Sequence, residues 1–215
     1  MTDPFVKICG VTRLDDAVRA VALGAGAIGF VFWPRSPRFI DPYRARPIVR
    51  ALPPFVTPVG VFVNQPIEYV NAVAGLLGLG AVQLHGDEDQ AYARQVRRPV
   101  VKAVSGAALV EQAAQWPSAV MPLVDTHDPV QRGGTGRTAD WAAAAALAAR
   151  VPILLAGGLN ADNVTAALDA VRPFGIDVSS GVETAPGVKD HEKLTTLFTR
   201  VRAWRSELHR TEVKR

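Results

Sequence analysis

Short apolar runs rich in β-branched residues recur eight times along this 215-residue chain, and each is followed by a longer amphipathic or Ala-rich stretch. No other feature limits the possible folds as strongly, because a strand can rejoin its sheet in parallel only through a long crossover, usually a helix. The strand segments are 6–10 (VKICG), 27–32 (AIGFVF), 57–62 (TPVGVF), 81–86 (AVQLHG), 99–104 (PVVKAV), 120–126 (VMPLVDT), 152–158 (PILLAGG) and 175–181 (GIDVSSG). Helical stretches follow at 13–24, 42–52, 66–78, 87–96, 108–116, 138–150, 161–171 and 190–204. No linker interrupts this order, so one domain over 1–205 is predicted. A frayed tail is expected over 206–215, where ELHRTEVKR mixes both charges without an apolar stripe.

Eight βα units suffice to close a ring. The expected fold is therefore a single-domain α/β (β/α)8 TIM barrel, more compact than the usual ~250 residues. A doubly wound open sheet is the alternative, but that fold has fewer strands and marks its ligand site with a glycine-rich first turn. Here the first turn reads CGVTR.

Composition narrows the function classes. One cysteine excludes an internal disulfide and fits a reducing compartment. The N-terminal MTDPFVKICG has neither a basic nor an apolar signal region, and no segment has the length and apolarity of a membrane span, so a cytoplasmic protein without a membrane partner is expected. The formal charge of +4 is modest and the arginines are scattered, which argues against nucleic-acid binding.

In a barrel of this kind, chemistry sits at the C-terminal ends of the strands, and side chains alternate between the barrel interior and the helices. If Val6 and Ile8 face the helices, then Lys7 and Cys9 face inward, with Cys9 nearest the mouth. The same parity turns Gln83 and His85, Leu123 and Asp125, and Asp177 and Ser179 inward. So many polar side chains exceed what packing needs, because each must be matched or remain costly. Lys7 and Asp177 are expected to form a buried ion pair between neighbouring strands. His85, Asp125 and Asp177 could instead face one metal ion, but only His85 among the four histidines lies at a strand end, so no metal is expected.

LAGGLN at 155–160 and SSGVE at 179–183 fall after strands 7 and 8, where barrel enzymes commonly bind phosphate on backbone N–H groups. Gly157, Gly158, Ser180 and Gly181 are the phosphate candidates, although paired glycines also serve as plain turn residues. GGTGR at 133–137 adds Gly134 from the loop after strand 6. Arg38, in the SPR triplet after strand 2, could hold a carboxylate in a bidentate fork or lie on the surface.

These motifs carry a resemblance. KICGVTR at 7–13, GFVFWPRSPRFI at 29–40, VGVFVN at 59–64, VQLHGDE at 82–88, LVDT at 123–126, LAGGLN and DVSSGVE at 177–183 resemble, in order, the phosphoribosylanthranilate isomerase family of tryptophan biosynthesis. The resemblance implies an Amadori rearrangement of a phosphosugar without metal or organic cofactor. It implies Cys9 as general base, Asp125 as general acid and Arg38 on the substrate carboxylate, in a monomer or homodimer, with His85, Gln83 and Asp177 lining the substrate cavity. The histidine-pathway isomerase on the same fold is the near alternative, and it carries aspartate where Cys9 stands. A silent phosphate-binding barrel would need neither Cys9 nor Asp125.

Such chemistry needs two groups in opposite protonation states. An ordinary thiol, with a pKa of about 8.5, is mostly protonated at neutral pH, whereas an ordinary aspartic acid, near 3.9, is mostly ionised. The site must work against both tendencies.

Overall fold

The computed structural model describes residues 4–105, 109–125 and 140–212, without the side chains of 109 and 207–212. Eight parallel strands form a closed barrel in chain order. They are β1 (Phe5–Ile8), β2 (Ala27–Val31), β3 (Thr57–Phe62), β4 (Ala81–Leu84), β5 (Val100–Val104), β6 (Met121–Val124), β7 (Leu154–Leu155) and β8 (Gly175–Val178). The helices are α1 (Leu14–Leu23), α2 (Pro42–Arg50), α3 (Ile67–Leu77), α4 (Gln90–Ala93), α5 (Leu109–Ala114), α6 (Trp141–Ala148), α7 (Val164–Val171) and α8 (His191–Glu212). A short antiparallel hairpin, β9 (Glu183–Ala185) and β10 (Val188–Lys189), follows β8.

Alternation divides the strands between two cores. Val6, Ile8, Ile28, Phe30, Val82, Leu84, Ile176 and Val178 face outward and pack with the helices. Phe32 and Phe62, both fully buried, add a tilted aromatic pair with ring centroids 5.3 Å apart to this outer core. Burying one such side chain contributes about 1.5–3 kcal/mol, so the outer core dominates the fold's stability. The interior is stacked in small layers: Ala27, Val59 and Ala81 with Phe5 near one end, and Cys9, Val31 and Val61 with Trp33 at the mouth.

Ring closure rests on β1 and β8, which pair from Phe5↔Gly175 to Ile8↔Val178. Lys7 lies directly opposite Asp177 in that register, and its Nζ is 2.8 Å from Asp177 Oδ2. The ion pair anticipated from the sequence therefore sits at the seam of the barrel.

Several expected elements differ in extent, three of them for reasons visible in the structure. The helix expected over 87–96 shrinks to α4, because Asp87 and Glu88 fold back to bond Asn64 and the backbone of Asn64 and Gly86, and Asp89 caps the helix by accepting from the Tyr92 N–H. The strand expected over 152–158 shrinks to β7, since Pro152 has no N–H and Gly157 and Gly158 already turn with φ of 81° and 64°. At the other end of the chain, the backbone expected to fray from 206 continues as α8 through Glu212. Among the described residues, no helix is long and apolar enough to cross a membrane.

Candidate active site

Cys9, His85 and Asp125 each stand one residue beyond the end of their strand, yet each still donates its backbone N–H to the neighbouring strand. Cys9 bonds Val178 O at 2.9 Å, His85 bonds Phe62 O at 2.9 Å and Asp125 bonds Val104 O at 3.1 Å. The last rung of the ladder thus fixes the Cα of each residue at the mouth. All three line a mouth cavity of about 1200 Å³, together with Trp33, Arg38, Gln83, Gly157, Gly158, Asp177, Ser179 and Ser180.

The Cys9 thiol is buried beside Lys7. Burial pushes its pKa up, the Lys7 ammonium pulls it down and Asp177 pushes it up again; burial prevails, so the thiol is raised. Lys7 itself keeps its proton: burial opposes the charge, but Asp177 and Cys9 outweigh burial and raise its pKa. Room for this pair comes from Gly29 on β2, where a Cβ would stand 2.9 Å from Cys9 Sγ.

Across the mouth, His85 Nε2 lies 3.2 Å from Asp125 Oδ2, and His85 Nδ1 lies 2.8 Å from Gln83 Nε2. A Gln83 amide donating to Nδ1 leaves the proton on Nε2, aimed at the carboxyl of Asp125. Gln83 and His85 thereby orient Asp125. Gln83 Oε1 and Asp177 Oδ1 are buried without a hydrogen-bond partner among the described residues. Buried acceptors of this kind, on residues lining a cavity, suit ligand hydroxyls. Among the described residues, no group of three His, Cys, Asp or Glu side chains is placed to hold a metal ion.

Arg38 reaches the mouth because the loop after β2 folds into two successive turns, Ser36 N–H to Trp33 O and Phe39 N–H to Ser36 O, before Ile40 N–H returns to Val31 O. Its guanidinium is not wholly open to a ligand. Nε and Nη2 donate to Glu183 at 3.0 and 2.7 Å, so one bidentate edge is already engaged. Gly10, at φ 73°, makes room for this arginine: a Cβ there would fall 2.6 Å from Arg38 Cδ. That accounts for glycine directly after the single cysteine.

Gly157 and Gly158 hold left-handed backbone between β7 and α7, and Asn163 locks the turn by donating to Gly158 O at 2.9 Å. Ser180 opens a 3₁₀ turn over Ser180–Val182 at the same side of the mouth. Gly181 does not line the cavity; it lets the two loops touch, since a Cβ there would collide with Leu159 O. Gly134 lies outside the described residues.

Two residues of the site carried no assigned role in the sequence reading. Glu183 accepts from Arg38, from Lys189 Nζ at 2.7 Å and from Gly187 N–H at 3.2 Å. Lys189 Nζ also donates to the backbone oxygens of Cys9 at 2.6 Å and Ser179 at 3.2 Å. Burial alone would raise the Glu183 carboxyl, but Arg38 and Lys189 hold it below the usual range and therefore ionised. The contacts that bring them to the site, Glu183 with Arg38 and Lys189 with the Cys9 carbonyl, span 145 and 180 positions, so neither periodicity nor local spacing signals them.

The family model for N-(5'-phosphoribosyl)anthranilate (PRA) isomerase matches residues 6–200. An N-(5'-phosphoribosyl)anthranilate isomerase of Citrifermentans bemidjiense is 49% identical over 195 residues, covering 90% of this chain and 94% of the relative. The crystal structure of phosphoribosyl anthranilate isomerase from Thermotoga maritima superposes with a TM-score of 0.86 at 43% identity, covering 93% of this chain and 99% of that one. A second solved phosphoribosyl anthranilate isomerase, in complex with reduced 1-(o-carboxyphenylamino)-1-deoxyribulose 5-phosphate, gives 0.83 at 42% identity over the same shares. With the closed barrel, the mouth cavity and these matches in hand, the chain belongs to the N-(5'-phosphoribosyl)anthranilate isomerase family.

Proposed function

We propose that this chain isomerises N-(5-phosphoribosyl)anthranilate to 1-(2-carboxyphenylamino)-1-deoxyribulose 5-phosphate, a step of tryptophan biosynthesis, in the cytoplasm and as a monomer or homodimer. The observation that carries the reading is one cavity lined by a thiol from the end of β1, a carboxyl from the end of β6, an arginine and a glycine-rich anion cradle. Family membership supplies the reaction class.

Asp125 protonates the furanose ring oxygen, the ring C–O bond breaks, and the nitrogen lone pair forms the Schiff base. Cys9, through the small fraction present as thiolate, then removes the proton from C2, and the electron pair returns toward nitrogen to give the enol that tautomerises to the ketone. Protons and electron pairs move within one substrate, so no external oxidant or reductant enters. Trp33, Val31 and Val61 give the aromatic ring an apolar wall beside Arg38, which meets its carboxylate. Gly157, Gly158 and Ser180 offer N–H groups to the phosphate at the other end. Asp177 and Gln83 accept from sugar hydroxyls, and His85 steers Asp125.

Loss of substrate fluorescence on turnover tests the reading. The wild type converts the substrate, whereas Cys9→Ser and Asp125→Asn each lose about 10²–10⁴-fold in kcat, the usual worth of a general acid or base. Both variants still bind the reduced product analogue. Near-native turnover by either variant removes that residue from the chemistry, and no turnover by the wild type refutes the assignment itself.

A further inference from the structure

A guanidinium presents two bidentate edges, the side formed by Nε with Nη2 and the end formed by Nη1 with Nη2. Glu183 occupies the first edge of Arg38 completely, with Oε1 on Nε at 3.0 Å and Oε2 on Nη2 at 2.7 Å. Only the second edge is left to a carboxylate in the mouth. Glu183 does not itself line the cavity, and neither does Lys189.

Glu183 is fixed in turn. Lys189, 3% exposed, spends its three N–H groups on Glu183 Oε1, Cys9 O and Ser179 O. The β9–β10 hairpin that carries both residues is tied to the start of α1: Thr12 Oγ1 donates to Gly187 O at 2.6 Å, and Asp16 accepts from Lys189 N–H at 2.9 Å. A single buried ammonium therefore joins the backbone of the thiol residue, the start of the loop after β8 and the anchor of the arginine.

Resting on the function proposed above, we infer that Glu183, held by Lys189, is a positioning residue for substrate discrimination: it aims the end edge of Arg38 at the substrate carboxylate. The charges sharpen the inference. Arg38 and Lys189 against Glu183 leave one net positive charge beside a singly charged carboxylate. Neutralising Glu183 adds attraction for an anion while removing orientation, so electrostatics alone and positioning predict opposite changes in affinity.

The test uses the full-length protein and two stable probes: the reduced product analogue and the same molecule with phenyl in place of carboxyphenyl. Glu183→Gln weakens the carboxylate probe about tenfold, the size of a charge-assisted hydrogen bond lost or misdirected. It leaves the phenyl probe within about twofold, and in an Arg38→Ala background it has no further effect, as expected for groups acting as one unit. Tighter binding of the carboxylate probe, equal weakening of both probes, or an undiminished effect without Arg38 each overturns the inference. Arg38→Lys supplies a second test should Glu183→Gln fold poorly. One ammonium cannot serve Glu183 and a carboxylate in two parallel pairs, so discrimination between the probes falls to the Arg38→Ala level, and retained discrimination contradicts the positioning role. Turnover by the wild type is scored separately. If the wild type binds both probes without isomerising substrate, the function fails while the carboxylate discrimination is still read.

Discussion

Burial raises the Cys9 thiol and Lys7, lying beside it, offsets only part of that rise. The sign follows from the charged form: a thiolate loses more on leaving water than the nearby ammonium returns, so deprotonation is displaced toward alkaline pH. Because Cys9 is the chain's single cysteine, its titration can be read without ambiguity. Thiolate absorbance near 240 nm should therefore rise only above the ordinary thiol range of about 8.5, and Lys7→Met should move the step higher still. A step below that range in the wild type would show that the raised thiol is wrong. The inward placement of Cys9, Gln83, His85, Asp125 and Asp177 was legible from strand parity, because alternation survives one residue past the last rung. The engagement of Arg38 by Glu183 was not, since the two are far apart in sequence and meet only once the ring has closed.

At the scale of elements, β3 spans the 57–62 expected of it, whereas β7 and α4 fall well short of the expected 152–158 and 87–96. On the mouth side the shortfalls share a cause, while Pro152 limits β7 from the other side. Residues at the mouth are drawn into loop hydrogen bonds, Glu88 to Asn64 N–H, Gly86 N–H and Lys102, and Asn163 to Gly158 O and Asn160 N–H, and these compete with regular structure. Sequence periodicity reads the part of an element that faces the core and is blind to the part recruited by a neighbouring loop. Strand β2 gives the clearest functional consequence. Gly29 faces Cys9 and Lys7, and an added methyl would meet Cys9 Cα at 3.1 Å as well as its sulfur, so the backbone itself must yield. Gly29→Ala should lower kcat about 10- to 100-fold, as sub-ångström displacement of a reacting group does, with a smaller change in binding of the reduced product analogue. Wild-type kcat in that variant would mean that the Cys9 position is not what sets the rate.

The whole molecule is a ring whose seam carries charge. Lys7 and Asp177, both buried, meet across β1 and β8 and close the barrel directly beneath Cys9, so the closure of the fold and the environment of the thiol are one feature. The eightfold alternation of apolar runs and helical stretches makes the ring legible in the sequence, and ring closure then brings residues from β1, β4, β6 and β8 to a single mouth. The account's central claim is that the Cys9 thiol and the Asp125 carboxyl reach the same sugar from the ends of β1 and β6. The most direct measurement is a crystal structure of this protein with reduced 1-(o-carboxyphenylamino)-1-deoxyribulose 5-phosphate bound. The expected result places Cys9 Sγ within about 4 Å of sugar C2, the Asp125 carboxyl within about 2.6–3.2 Å of the oxygen that closes the substrate ring, and the phosphate at Gly157, Gly158 and Ser180. A ligand lying the other way round, with phosphate on Arg38, or a C2 atom approached by some side chain other than Cys9, would contradict it.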